Sequence, residues 1–316
     1  MDISRSAFCV LLFSVAAITL PALPGVGDPT DRAALGERLF FDPILSRDRS
    51  ISCASCHKPE HGFADNVALS PGARGQLGTR NTPSAMNTAG RLDFFWDGRA
   101  ASLEEQALGP IANPKEMDLP LPDVVQRLQA DADYVRWFQK LFNAPPTERN
   151  LSQAIAAYER TLETANTPYD RYVAGDDSAL TAQQVRGRLL FIGKANCANC
   201  HSGEDFTADR HKSIGLYNGK ELNDPGRGGV TKDPAHLGLF KTPSLRNVAV
   251  TAPYMHNGMF KTLREVVDYY NHPDDFVKGS INRDKALDLP MNLTADEVTD
   301  LVAFLEALTD DRFAAP

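Results

Sequence analysis

Cys53-Ala54-Ser55-Cys56-His57 and Cys197-Ala198-Asn199-Cys200-His201 are two copies of one pattern, C-x-x-C-H. The spacing is that of covalent haem c attachment. Two thiols add across the vinyl groups of one porphyrin, and the adjacent imidazole is held under the iron as its proximal ligand. Two copies imply two covalent haems on one chain, and so a redox protein. They also bear on the fold: where haem fills much of the interior, long loops are expected around it.

Cysteine usage supports this reading. The chain has five cysteines, Cys9, Cys53, Cys56, Cys197 and Cys200. The motifs consume all but Cys9, so none is left for a disulfide. The competing readings of a lone C-x-x-C are a zinc knuckle and a redox dithiol. Zinc would pair the two C-x-x-C units and leave His57 and His201 unexplained. A free dithiol would tend to oxidise in an exported protein.

Export is expected from the first 22 residues, which read as a secretory signal: Arg5, an apolar run over 7–20, and a small-residue cleavage site at Leu20-Pro21-Ala22. A retained membrane anchor is the alternative, but the run is short for a span. Cys9 comes too early, after Phe8, to resemble a lipoprotein cysteine. Thioether attachment occurs outside the bacterial cytoplasm, so the expected address is the periplasm, with no membrane segment in the mature form. The net charge of −8 argues against nucleic-acid partners and anionic membrane surfaces, and it permits steering of a basic electron donor.

A chain of 316 residues with 42% hydrophobic content accommodates two domains. The approaches to the two motifs resemble each other: Gly36-Glu37-Arg38-Leu39-Phe40-Phe41 precedes Cys53, and Gly187-Arg188-Leu189-Leu190-Phe191 precedes Cys197. This faint repeat suggests two related helical halves. Helical stripes run over 123–142, broken only briefly, and over 151–162, and a short helix covers 263–270. Thr181 caps a helix to Phe191, and Thr294-Ala295-Asp296-Glu297 is a capping box opening a helix to Leu308. Strand patterns are scarce, and Pro and Gly cluster at 71–83, 109–122 and 224–243. The expected fold is mostly α: two cytochrome-c-like helical domains, each with one covalent haem, long loops and little sheet. The expected division is a signal at 1–22, an N-terminal peroxidatic haem domain at 23–170 and a C-terminal electron-transfer haem domain at 171–316.

The sequence resembles the bacterial di-haem cytochrome c peroxidases and their MauG-like relatives over nearly all of the mature chain. The resemblance is carried by LGERLFFDPILSRDRSISCASCH, RNTPSAMN, FFWDGRAASLEEQALGPIANPKEM, CANCH, KTPSLRNVAVTAPYMHNGMF and LTADEVTDLVAFLEAL. It implies that the N-terminal haem meets hydrogen peroxide and that the C-terminal haem stores or relays electrons. Peroxide activation needs an open iron and a proton shuttle. Glu116 matches the family's catalytic glutamate and Gln106 its pocket amide, with Pro110 and Met117 as neighbours. By itself Glu116 would read as a surface carboxylate at a helix start. Trp96 matches a relay residue between the haems; the plainer reading is a buried aromatic. Trp137 lies on an amphipathic stretch and reads as core. Asn81, with the carbonyls of Thr251 and Pro253, matches the family's calcium site, and calcium favours such oxygen donors.

The second haem's sixth ligand separates the branches of the family. Counting on from His256 by the family's spacing reaches Tyr270, where reductively activated peroxidases place methionine and MauG-like members tyrosine. Tyr269, Met255 and Met259 compete for the place. An anionic phenolate favours Fe(III), a thioether Fe(II). Residues 70–80, SPGARGQLGTR, lack the distal histidine of the reductively activated members. His61 reads as a residue near the proximal side, and His211, His236 and His272 as loop or surface residues. The first iron is therefore expected to be open without prior reduction. MauG's surface tryptophan before the second motif is replaced by Lys194-Ala195-Asn196.

The expected activity is reduction of hydrogen peroxide with electrons from a small cytochrome c or cupredoxin. The alternatives are MauG-like oxidation of a partner protein's side chain and, in a different class, a non-catalytic di-haem electron carrier.

Overall fold

The computed structural model describes residues 27–313, so the expected signal segment and Cys9 lie outside the described residues. The chain is mostly helical and forms two cytochrome-c-like domains.

Helix α1 (Arg32–Phe41) starts where Asp31 accepts a hydrogen bond from the Ala34 amide at 2.9 Å. It buries Leu35, Leu39 and Phe40 completely, each worth roughly 1.5–3 kcal/mol of apolar burial. After the first motif and a long loop come α2 (Leu103–Ala112), α3 (Leu121–Gln129) and α4 (Ala132–Phe142). The briefly broken stripe expected over 123–142 is two helices. Asp131 separates them by accepting from the amides of Asp133 and Tyr134, which restarts the helix. Trp137 is buried in this half's core.

Helix α5 (Glu148–Glu159) opens with a capping box between Thr147 and Asn150 and packs on α1 through one close approach. A Cβ at Gly36 would stand 1.9 Å from the Ala154 carbonyl oxygen. Only glycine lets the two backbones meet there.

The second half repeats the device. Helix α6 (Pro168–Val173) brings Tyr169 against Phe206 and Phe304, at ring separations of 5.1 and 5.7 Å. Helix α7 (Ala182–Ile192) is capped by Thr181 and Gln184, as the sequence suggested. After the second motif the chain runs through α8 (Arg227–Thr231), α9 (Leu263–Asn271), α10 (Pro273–Phe276) and α11 (Ala295–Glu306). The expected box of Thr294 and Glu297 opens α11. A Cβ at Gly187 would stand 1.9 Å from the Asp300 carbonyl oxygen, so α7 and α11 cross as α1 and α5 do.

The only ladder among the described residues is two residues wide. Strand β1 (His211–Lys212) pairs antiparallel with β2 (Phe240–Lys241). It stitches the halves together, because the Lys241 amide donates to the Trp96 carbonyl at 2.8 Å. His211 therefore departs from its expected place in a loop or at the surface. Its side chain is 17% exposed, facing Asp93 of the other half at 3.6 Å. His236 is 41% exposed at its side chain, in keeping with the surface reading.

No described helix is long and apolar enough to cross a membrane. Replacing Gly36 or Gly187 by alanine forces one helix off its partner. Each change should cost about 1–3 kcal/mol by overpacking, read as a lower denaturant midpoint at an unchanged slope. An unchanged midpoint in both would mean that the crossings do not need the glycines.

Candidate haem sites

Both motifs open as one-turn 3-10 segments, Cys53–Ser55 and Cys197–Asn199, each followed by its second cysteine at the C-cap and then its histidine. The His57 amide donates to the Cys53 carbonyl and the His201 amide to that of Cys197, both at 2.9 Å. Thiols and imidazole are thereby turned to the same side. His57 Nδ1 donates to the Phe63 carbonyl at 3.0 Å, and His201 Nδ1 donates to the Phe206 carbonyl at 3.0 Å. A carbonyl can only accept, so the proton is on Nδ1 and Nε2 is left with its lone pair. Burial lowers the pKa of both imidazoles, which favours this neutral, ligating form.

One continuous cavity of about 700 Å³ is lined by Cys53, Cys56 and His57 and by Cys197, Cys200 and His201. Its walls are mainly apolar. Burial pushes the Cys56 thiol up to about 11 and the Cys197 thiol up to about 12, with Cys53 raised further. Such thiols are poor free nucleophiles and suit permanent thioether linkage. The donor set therefore fits two haem c groups: paired thiols, an oriented neutral imidazole and an apolar chamber at each motif.

The loops over the two chambers share a detailed register. Phe94 bridges Ala100 as Tyr254 bridges Phe260. Gly98 and Gly258 both take left-handed φ, +64° and +65°. Ser102 caps α2 as Thr262 caps α9, each through a glutamate amide in the first turn. In this register Trp96 corresponds to His256, Gln106 to Val266 and Pro110 to Tyr270.

In the first chamber Gln106 and Pro110 line the cavity from α2, and Glu116 and Met117 line it from the turn that follows. Asn113 Nδ2 donates to Glu116 Oε1 at 2.8 Å. Burial raises the Glu116 pKa, while Asn113 and the more distant Arg99 oppose the shift. The turn is held from outside. The Ala73 amide donates to the Glu116 carbonyl at 2.6 Å, and Arg47 and Arg74 both pair with Asp118. A Cβ at Gly72 would stand 2.0 Å from the Lys115 carbonyl oxygen, so residues 70–78 lie directly against this turn.

Trp96 lines the same cavity, and its Nε1 donates to the Asn81 carbonyl at 2.8 Å. The Asn81 amide donates to the His256 carbonyl at 2.7 Å, so the backbone of one residue joins the two corresponding loops. Asn81 Nδ2 donates to the carbonyls of Val67 and Ala68, which turns Oδ1 the other way. Thr251 and Pro253 lie on the cavity wall with Asn81.

In the second chamber Tyr270 and Met255 line the cavity. Tyr269 does not: it is fully buried, and its hydroxyl donates to the Ile214 carbonyl at 2.5 Å. Met259 is 38% exposed and also lies off the wall. Burial holds the Tyr270 phenol well above the ordinary tyrosine range.

Sequence reasoning missed three features. Arg80 bridges the halves, donating to Asp97 at 2.6 Å and to Asp224 at 2.7 Å. His256 stacks on Phe240 at 3.7 Å and is pushed down to about 4 by burial. Glu159 is buried in the wall of the first chamber. Only Glu159 carried a local signal, as a carboxylate on the apolar stripe of α5.

Comparison with known proteins agrees with this geometry. A model of the di-haem cytochrome c peroxidases matches residues 30–178, and a cytochrome c model matches residues 184–309. The methylamine utilization protein MauG of Methylorubrum extorquens is 42% identical over 284 residues, which cover 88% of this chain and 78% of that protein. The cytochrome c551 peroxidase of Pseudomonas aeruginosa is 39% identical over 283 residues, 87% of this chain and 78% of that protein. A solved MauG-like protein associated with microbial copper homeostasis superposes with a TM-score of 0.82 at 31% identity, covering 97% of this chain and 99% of its own. The chain belongs to the di-haem cytochrome c peroxidase (MauG) family and is an oxidoreductase built to carry two haem c groups.

Proposed function

We propose that this chain reduces hydrogen peroxide at the haem of the first motif, with electrons supplied by a small cytochrome c or cupredoxin in the periplasm. The observation that carries the proposal is the asymmetry of the two chambers. Where α9 presents Tyr270, α2 presents Pro110, which has no group able to bind iron. Glu116 and Gln106 line that same wall. One chamber thus pairs an acid–base group with an open side, and its counterpart offers a ligand. A passive electron carrier has no use for Glu116 in that place.

The haem, once bound, supplies the iron that receives peroxide and the redox equivalents. The protein's part is proton handling. Asn113 occupies Glu116 Oε1 and leaves Oε2 for substrate. Oε2 takes the proton from the peroxide oxygen nearer His57 and returns it to the departing oxygen, which leaves as water. A raised pKa suits both halves of that exchange. Gln106 orients the substrate by its amide. Trp96 lies between the chambers, hydrogen-bonded at Nε1, and serves as the electron relay.

In the second chamber we assign Tyr270 as the axial ligand of the second haem. Burial alone keeps its phenol neutral, so ionisation requires a cation at its oxygen, as Fe(III) provides. This observation keeps the MauG-like alternative open, in which a partner protein's side chain is the electron source. Asn81 Oδ1 and the Thr251 and Pro253 carbonyls form the proposed calcium site.

Stopped-flow mixing of the oxidised holoprotein with hydrogen peroxide tests the reading. We expect a high-spin ferric component before mixing and prompt oxidation without prior reduction. A wholly low-spin, peroxide-inert oxidised protein would overturn it.

E116Q should slow the peroxide reaction by about 10²–10⁴-fold with haem content unchanged. In the wild type the base form of Glu116 is required. The rate should therefore fall as pH drops through a pKa above the ordinary glutamate range, and E116Q should lack that limb.

Y270M should raise the potential of the second haem alone, since a neutral thioether favours Fe(II). Equal potentials in the two proteins would remove Tyr270 as ligand.

A further inference from the structure

Helix α5 carries one residue at odds with its buried face. Leu151, Ile155 and Tyr158 are buried there, and Glu159 lies beside them with 7% of its surface exposed. Its Oε2 is buried and has no hydrogen-bond partner among the described residues. The side chain lines the wall of the first chamber with Cys53, Leu103 and Ala107. Its charge is near enough to Cys53 to push that thiol upward.

An unpartnered carboxylate in such a wall is disfavoured against its neutral acid. Burial is the main cause of a pKa pushed up to about 8. Two charged groups act on it in opposite senses, Arg160 on its own helix and Glu104 on α2. They pair with each other at 2.9 Å. The other titratable neighbours are Tyr158, itself held neutral by burial, the Cys53 thiol, which the thioether consumes, and Glu116, which lines the same chamber and acts on Cys53 as well.

The second half of the chain is an internal control. Ala154 and Tyr158 meet Gly36 as Asp300 and Phe304 meet Gly187. In that register Glu159 corresponds to Leu305, which lines the cavity and is equally buried. The same wall is closed by leucine at the second chamber, so packing does not demand a carboxyl at the first.

We propose that Glu159 is a proton-uptake site coupled to the redox state of the first haem and not of the second. As one electron from the donor enters the first chamber, the Glu159 carboxylate takes one proton from water. When that electron leaves, the proton is released. Charge inside the chamber is thereby kept level through each electron transfer. The coupling involves no peroxide and does not depend on Glu116, so it stands or falls separately from the proposed reaction.

The test is a spectroelectrochemical titration of both haems in the holoprotein over a range of pH, in wild type, E159Q and E159L. In the wild type the first haem's potential should fall with rising pH around pH 8, by up to about 59 mV per tenfold drop in proton concentration. Both variants should flatten that slope and leave the second haem's pH profile unchanged. Retention of the wild-type slope in both variants would overturn the proposal. If neither variant binds haem, the reduced-minus-oxidised infrared difference spectrum of the wild type decides. Reduction of the first haem near pH 8 should add a protonated-carboxyl band that shifts in D₂O. Its absence would overturn the proposal.

Discussion

Each half of the molecule depends on a backbone-to-backbone contact between two helices with no side chain between them. Gly36 sits against the Ala154 carbonyl, and Gly187 sits against that of Asp300. The crossing sets how near the helix before the motif lies to the helix that closes the domain. That distance shapes the chamber into which Cys53, Cys56 and His57, or Cys197, Cys200 and His201, project. The imidazoles are aimed by a second backbone device, the Phe63 and Phe206 carbonyls that fix Nδ1.

From this shared frame the two chambers diverge through few substitutions. Pro110 stands for Tyr270, Trp96 for His256 and Glu159 for Leu305. Each removes or adds one chemical capacity at a corresponding position of the frame. The first chamber gains a buried carboxyl, and the second gains the tyrosine that we propose as its iron ligand and a leucine in place of the carboxyl. The roles that we propose for the two chambers need only such changes on a repeated frame of helices, caps and glycine crossings. The halves are then joined by polar contacts: Arg80 to Asp97 and Asp224, and the Asn81 backbone between the Trp96 and His256 loops. Buried charges arranged this way fix relative position more than they add stability.

Much of the frame was legible because it is local. The capping boxes at Thr181 and Thr294 are signals within one turn, and the structure starts α7 and α11 at those residues. The brief break in the helical stripe over 123–142 also has a local cause. Asp131 interrupts the stripe by capping its own following turn. His211 was misjudged for the opposite reason. Nothing near it in the chain shows that Asp93, well over a hundred residues away, faces it across the domain boundary.

By itself the sequence determined the covalent chemistry, the number of haems, the helical character and the family. These rest on adjacent residues, whose spacing along the chain is their spacing in space. Only the tertiary structure decided which of Tyr269, Tyr270, Met255 and Met259 reach the second chamber. It also placed Pro110 in register with Tyr270 and enclosed Glu159 without a partner. Those facts depend on how helices cross and which face each presents, and a long-range contact leaves no mark on the residues beside it in the chain.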